Sequence, residues 1–132
     1  MRLLLKDMIE HICRYTIGLS WIYQGIVPKL WHIAPLERLM TANFGFNAEI
    51  SDLITRGAGV GEVIFGMAFI VWYRSMLLNI AHCLAMVGLL LFVLVMEPSV
   101  MLEAFNPVTT NLPLLALSLI LIAQLKTHVK PA

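Results

Sequence analysis

Lys29 and Glu62 are the residues of this chain best placed to do chemistry, because each interrupts a stretch that otherwise has the composition of a membrane-spanning helix. Lys29 lies in the run 15–33, and Glu62 lies among the glycines of 57–73. A charge at the centre of a bilayer costs from roughly 3 kcal/mol on insertion scales to about 10 or more in simulations, so such residues face a protein interior or a wet cavity and pair there. These two have opposite sign. Paired in a low-dielectric setting, a lysine and a glutamate can move a proton, hold a polar group of a ligand, or lock two helices in register.

The elements that must position them carry a helical repeat. Arg14, Gly18, Trp21, Gly25, Lys29 and His32 share one stripe of the first apolar segment, and Thr55, Gly59, Glu62, Gly66 and Tyr73 share one of the second. Small residues at such spacing let helix backbones approach closely in lipid, where packing drives association. Both glycine faces carry the anomalous charge, so the two segments are expected to pack there and turn Lys29 and Glu62 inward. Lys29 points back toward its helix N-terminus and therefore deeper. Glu62 lies roughly 13 Å along its helix from Leu53. Arg56 and Glu37 are competing partners nearer the surface. Three roles stay open: a structural ion pair, a snorkelling Lys29 beside a lone protonated Glu62, and a functional polar site.

Composition fixes the broad class. Of 132 residues, 60% are hydrophobic and 13% charged, against about 45–50% and about 25% in soluble domains. That balance indicates one integral membrane domain. A net charge of +1, with no polybasic run, gives no reason to invoke nucleic acid. The N-terminal MRLLLKDMIEHICRY has no cleavage-site pattern and reads as an interfacial lead-in. Cys13 and Cys83 form no CxxC or CxxCH motif, so thiol redox and covalent haem attachment have no sequence support.

Four spans are expected, at about 12–32, 53–73, 77–96 and 111–126, each near the length needed to cross a bilayer. Pro35, Glu97-Pro98 and Asn106-Pro107 punctuate the loops, and the short turn after Tyr73 makes a tight hairpin. The fold class is therefore all-α, a four-helix antiparallel transmembrane bundle. Arg2, Lys6, Arg14, Arg74, Lys126 and Lys130 lie on one side, whereas the third loop has no Lys or Arg. Excess Lys/Arg marks the cytoplasm, which places both termini there.

A second polar group, Asn79 and His82 with Arg14 and His11, lies toward the cytoplasmic side. No HxxxH or HxxE spacing supports metal or haem ligation, so these read as structural polar residues together with Arg56 and Glu37. In the third loop, Thr109, Thr110 or Asn111 can cap the fourth span, with Pro113 early in that helix. Most Trp and Tyr residues fit interfacial belts, but Trp21 and Tyr23 are deep enough to line a ligand site.

The motifs RYTIGLSWIYQGIVPKL (14–30), Pro35-Leu-Glu37, Gly61-Glu62 and FNPVTTNL (105–112) resemble the DoxX-like family of small four-span membrane proteins. The resemblance runs over about residues 12–125. It implies little about activity: the family takes its name from a subunit associated with an archaeal quinol oxidase, and some relatives are fused to reductase-like domains. This chain has no GxGxxG loop, haem motif or Cys pair, so any electron carrier would be a quinone or belong to a partner.

The first functional reading is an accessory subunit, or a binder of a quinone-like or other amphipathic small molecule between spans one and two. The ligand-binding residues are then Lys29, Glu62, Trp21, Tyr23, Gln24 and Asn106. Lys29 would hold a carbonyl or anionic group, Glu62 would handle a proton, and Trp21 and Tyr23 would flank the ring. The alternatives are a proton-coupled transport module and a structural scaffold of a membrane complex, as a homo-oligomer or in a redox assembly. A stand-alone catalyst ranks last, because no nucleophile–base arrangement is present. The bacterial inner membrane is the expected location.

Overall fold

The computed structural model describes residues 1–127, so Lys130 lies outside them. Among the described residues all regular secondary structure is helical: α1 (Arg2–Gly25), a π-helical segment (Ile26–Trp31), α2 (Pro35–Ala42), α3 (Ala48–Val71), α4 (Met76–Met96), a 3-10 turn (Pro98–Leu102) and α5 (Pro107–Thr127).

Local chemistry sets each boundary. Pro28 has no N–H, and its ring crowds the carbonyl four residues back, so α1 cannot run through it unchanged. The chain widens into a π turn in which the His32 N–H donates to the Val27 carbonyl at 3.2 Å. Ala34 is extended, as a residue before proline prefers, and Pro35 opens α2. Gly45 returns the chain toward α3 at φ 76°, a value side chains disfavour. Asn47 Oδ1 then accepts from the Ile50 N–H at 2.9 Å, and Ser75 caps α4 through Leu78. Glu97, ahead of Pro98, ends α4.

Two boundaries differ from the sequence reading. Residues taken as an interfacial lead-in belong to α1, which is helical from Arg2; neither Pro nor Gly interrupts it before Gly18. The cap of α5 is Asn106, not Thr109, Thr110 or Asn111. Its Oδ1 accepts from the Val108 and Thr109 amides at 2.9 and 3.1 Å, and Pro107 takes the first helical position. Thr109 Oγ1 instead donates back to the Asn106 carbonyl at 2.9 Å.

Among the described residues, three helices are long and apolar enough to cross a membrane: Ala48–Val71, Met76–Met96 and Pro107–Thr127. Between 17% and 22% of their most apolar windows is buried within the protein. Large side chains such as Leu77 (76% exposed) and Val95 (75%) point outward, while Asn79, His82 and Ser118 are buried. Such an inversion is stable where hydrocarbon is the solvent. Helix α1 falls outside that set because Lys6, Asp7, Glu10 and Arg14 crowd its first half.

The chain forms two compact units, Met1–Ile17 with the chain from Phe69 onward, and Gly18–Ala68. In the first, α4 and α5 pack together, and Ile17, Phe69, Met86 and Leu121 are buried. In the second, the end of α1 runs antiparallel to α3 in backbone contact. A Cβ added at Gly25 would stand 2.5 Å from the Gly59 carbonyl oxygen, and one at Gly66 would stand 2.6 Å from that of Gly18. No side chain fits at those separations, which is why glycine occupies the seam. Gly57 and Gly61 face open space.

Candidate functional site

The seam of the Gly18–Ala68 unit positions the charges. A Cβ at Gly59 would meet the Lys29 Cβ at 2.8 Å, so the missing side chain there is the space that Lys29 occupies. From the π-helical segment Lys29 reaches back along α1, and its Nζ donates to Glu62 Oε1. Glu37, on α2, places Oε1 3.5 Å from the same Nζ. Two carboxylates thus share one ammonium.

Their surroundings are unequal. The Lys29 and Glu62 side chains are 11% and 14% exposed and Glu37 is 28% exposed, so Glu37 is the most open member of the three. Glu62 Oε2 is buried and makes no hydrogen bond within the protein. Burial pushes the Glu37 carboxyl above the ordinary carboxylate range; the nearby Glu62 charge adds to that push, and Lys29 opposes it. A lysine ammonium has three donors, of which two face carboxylates here. The site therefore retains one donor direction and one buried acceptor oxygen.

Polar contacts around the triad fasten the helices. Arg38 forks onto Asp52 through bonds of 3.1 Å, and the Thr41 and Ser51 hydroxyls hydrogen-bond each other, tying α2 to α3. Arg56 does not engage Glu62; it donates to the Leu30 carbonyl at 3.2 Å, inside the π turn. Thr55 is 2% exposed and its hydroxyl has no partner.

The remaining sequence candidates are dispersed. Trp21 packs edge-on against Phe65, with ring centroids 4.9 Å apart, within the same unit. Tyr23 and Gln24 lie on the exposed side of α1, and Asn106, in the other unit, is occupied in capping α5. There too, His82 is buried with Nε2 3.3 Å from the Leu114 carbonyl oxygen. Asn79 donates to the Tyr73 and Ser75 carbonyls at 2.8 and 2.9 Å. Arg14 donates to the Ile70 carbonyl at 2.6 Å, with its guanidinium 4.8 Å from the Tyr73 ring centroid.

One buried charge escaped the sequence reading. Glu10 is 1% exposed and its Oε2 accepts from Arg74 Nε and Nη2 at 3.3 and 3.1 Å. The signal was available: Glu10, Cys13 and Ile17, all buried, fall at helical spacing.

The sequence profile of the DoxX-like family matches residues 18–119, a segment that includes Lys29, Glu37 and Glu62. No curated protein and no solved structure matches the chain.

Proposed function

The chain belongs to the DoxX-like family and is an integral membrane protein; on that premise we propose that it is an accessory protein holding a small amphipathic molecule, of the quinone-like class, at Lys29 and Glu62. The observation that carries this reading is the buried Glu62 Oε2 without a partner. An orphaned buried acceptor costs roughly 1–3 kcal/mol, more when charged, and a ligand donor would offset that cost. The spare Lys29 donor beside it suits a carbonyl or hydroxyl oxygen, so the residues present fit a quinone or quinol headgroup. Such a group, when bound, would supply electron transfer, while this chain's residues would orient its oxygen and handle a proton.

Lys29, Glu37 and Glu62 are the binding residues in this reading, and Trp21 lines the seam deeper along α1. Tyr23 and Gln24 lie on the exposed side of α1, and Asn106 caps α5 in the other unit. The surrounding architecture is a four-span bundle in the bacterial inner membrane, with spans as expected from the sequence and both termini cytoplasmic. The π-helical segment completes the first span, and the protein works as a homo-oligomer or within a redox complex.

Purification from native membranes in several mild detergents, followed by mass spectrometry of extracted small molecules, tests the reading. A quinone or related amphiphile should accompany the wild-type protein stoichiometrically and be depleted in Glu62→Gln. Recovery of no amphiphile across detergents overturns it. The linkage of an exposed carboxylate, Glu37, to a more buried one, Glu62, through Lys29 favours a second reading, a proton-coupled transport module, in which proteoliposome flux is lost in Glu62→Gln.

A further inference from the structure

The geometry points to a proton-binding site: we propose that Glu37, Lys29 and Glu62 together hold one proton beyond the lysine's own at neutral pH, and that it enters from water through Glu37. The inference deepens the reading of the same site but does not require a bound amphiphile.

Charge bookkeeping carries the first step. Fully ionised, two carboxylates and one ammonium leave a net charge of −1 in surroundings where an uncompensated charge is expensive. Among the described residues of the Gly18–Ala68 unit, no further cation lowers it. On α3, Arg56 is turned to the Leu30 carbonyl. On α2, Arg38 is committed to Asp52. His32, past the π turn, is exposed, and so is Glu49 at the start of α3. A proton is the smallest neutralising ion, and the carboxylates can accept it without rearranging the helices.

Position carries the second step. Glu37 is the most exposed member, Lys29 lies between the carboxylates, and Glu62 is half as exposed as Glu37 with Oε2 buried. Burial already favours the protonated form of Glu37. Transfer inward is balanced: the Glu37 carboxylic acid gives its proton to Lys29 as the ammonium gives one to Glu62. Glu37 ends as carboxylate, Glu62 as carboxylic acid and Lys29 as ammonium, so the triad's net charge is unchanged.

Infrared spectroscopy of the full-length protein in liposomes tests the inference through the carbonyl stretch of a protonated carboxylic acid. Wild type should show this band at neutral pH, lose it at alkaline pH, and shift it in deuterated buffer. Either Glu37→Gln or Glu62→Gln should abolish it, because the remaining carboxylate is then neutralised by Lys29. Circular dichroism checks that both variants remain helical, and the wild-type titration stands without them. Absence of the band at neutral pH overturns the site, and its persistence in both folded variants assigns the proton elsewhere. A band that resists deuteration overturns access through Glu37. Repetition on protein stripped of amphiphiles separates the two readings: a band that survives stripping keeps the proton site whether or not native purification recovers a ligand, and a band lost on stripping assigns the proton to the ligand.

Discussion

The two units treat their polar groups differently. In the unit that begins at Met1 and resumes at Phe69, charges close off structure. Arg14 caps a carbonyl at the end of α3, Glu10 is matched by Arg74, and His82 contacts a backbone carbonyl of α5. Asn79 spends its amide on the turn before α4, although its Oδ1 remains unpartnered. In the Gly18–Ala68 unit, one lysine serves two carboxylates and a charged oxygen is left over. The contrast is one of charge balance: the first pattern satisfies helix ends that would otherwise be orphaned, and the second retains capacity for a further ion or ligand.

Removing the central cations gives the sharpest comparison. Lys29→Met leaves two carboxylates without their cation and should cost about 3–5 kcal/mol in unfolding experiments in detergent. Adding Glu37→Gln and Glu62→Gln to that variant should recover most of the loss, because the charges that needed Lys29 are gone. Arg14→Met removes one charge-assisted hydrogen bond and should cost roughly 1.5–3 kcal/mol, with no such rescue. Equal rescue in both units would erase the contrast.

The glycine seam comes next. Gly59→Leu forces a side chain where Lys29 and a facing carbonyl already lie, for a loss of about 1–3 kcal/mol. Gly61→Ala, facing open space, should stay within about 0.5 kcal/mol of wild type. A smaller effect is expected at the other unit's cap: Asn106→Ala should cost ~1 kcal/mol in thermal unfolding.

A comparison of a different kind is the pH dependence from Glu37. Its raised pKa means that the folded chain keeps a proton the unfolded chain has already lost. That contribution is complete below the ordinary carboxylate range and is lost as pH rises through the folded value. Stability should therefore fall across that window in wild type, and Glu37→Gln should flatten the slope. Denaturant titrations at a series of pH values would measure it, and a slope of the opposite sign would refute the assignment.

The part of the site legible in the sequence was the part written in periodicity. Lys29 and Glu62 stood out because charges in apolar helices are rare, and glycines at helical spacing indicated the faces that meet. The DoxX-like resemblance was legible in contiguous motifs, and the profile match confirms it. Glu37 could be named as a rival partner for Lys29, but not as a simultaneous one, since sharing depends on how α2 folds back after Pro35. Glu10 falls in phase with the apolar Cys13 and Ile17, a signal outweighed by the scattered charges that made the N-terminal segment read as an interfacial lead-in. The cap of α5 was misassigned among several capping residues within one turn, where only backbone geometry selects Asn106.

The π-helical segment at Pro28 has a consequence for how this site tolerates change. Relative to an α-helix it stores one surplus residue, and Pro28 is what keeps the wider turn from winding regularly. Each residue of an α-helix turns the chain by about 100°, so rewinding at full length, as Pro28→Ala would permit, would swing Lys29 out of the seam while every side chain of the triad survived. The site is thus encoded by backbone winding as well as by identities.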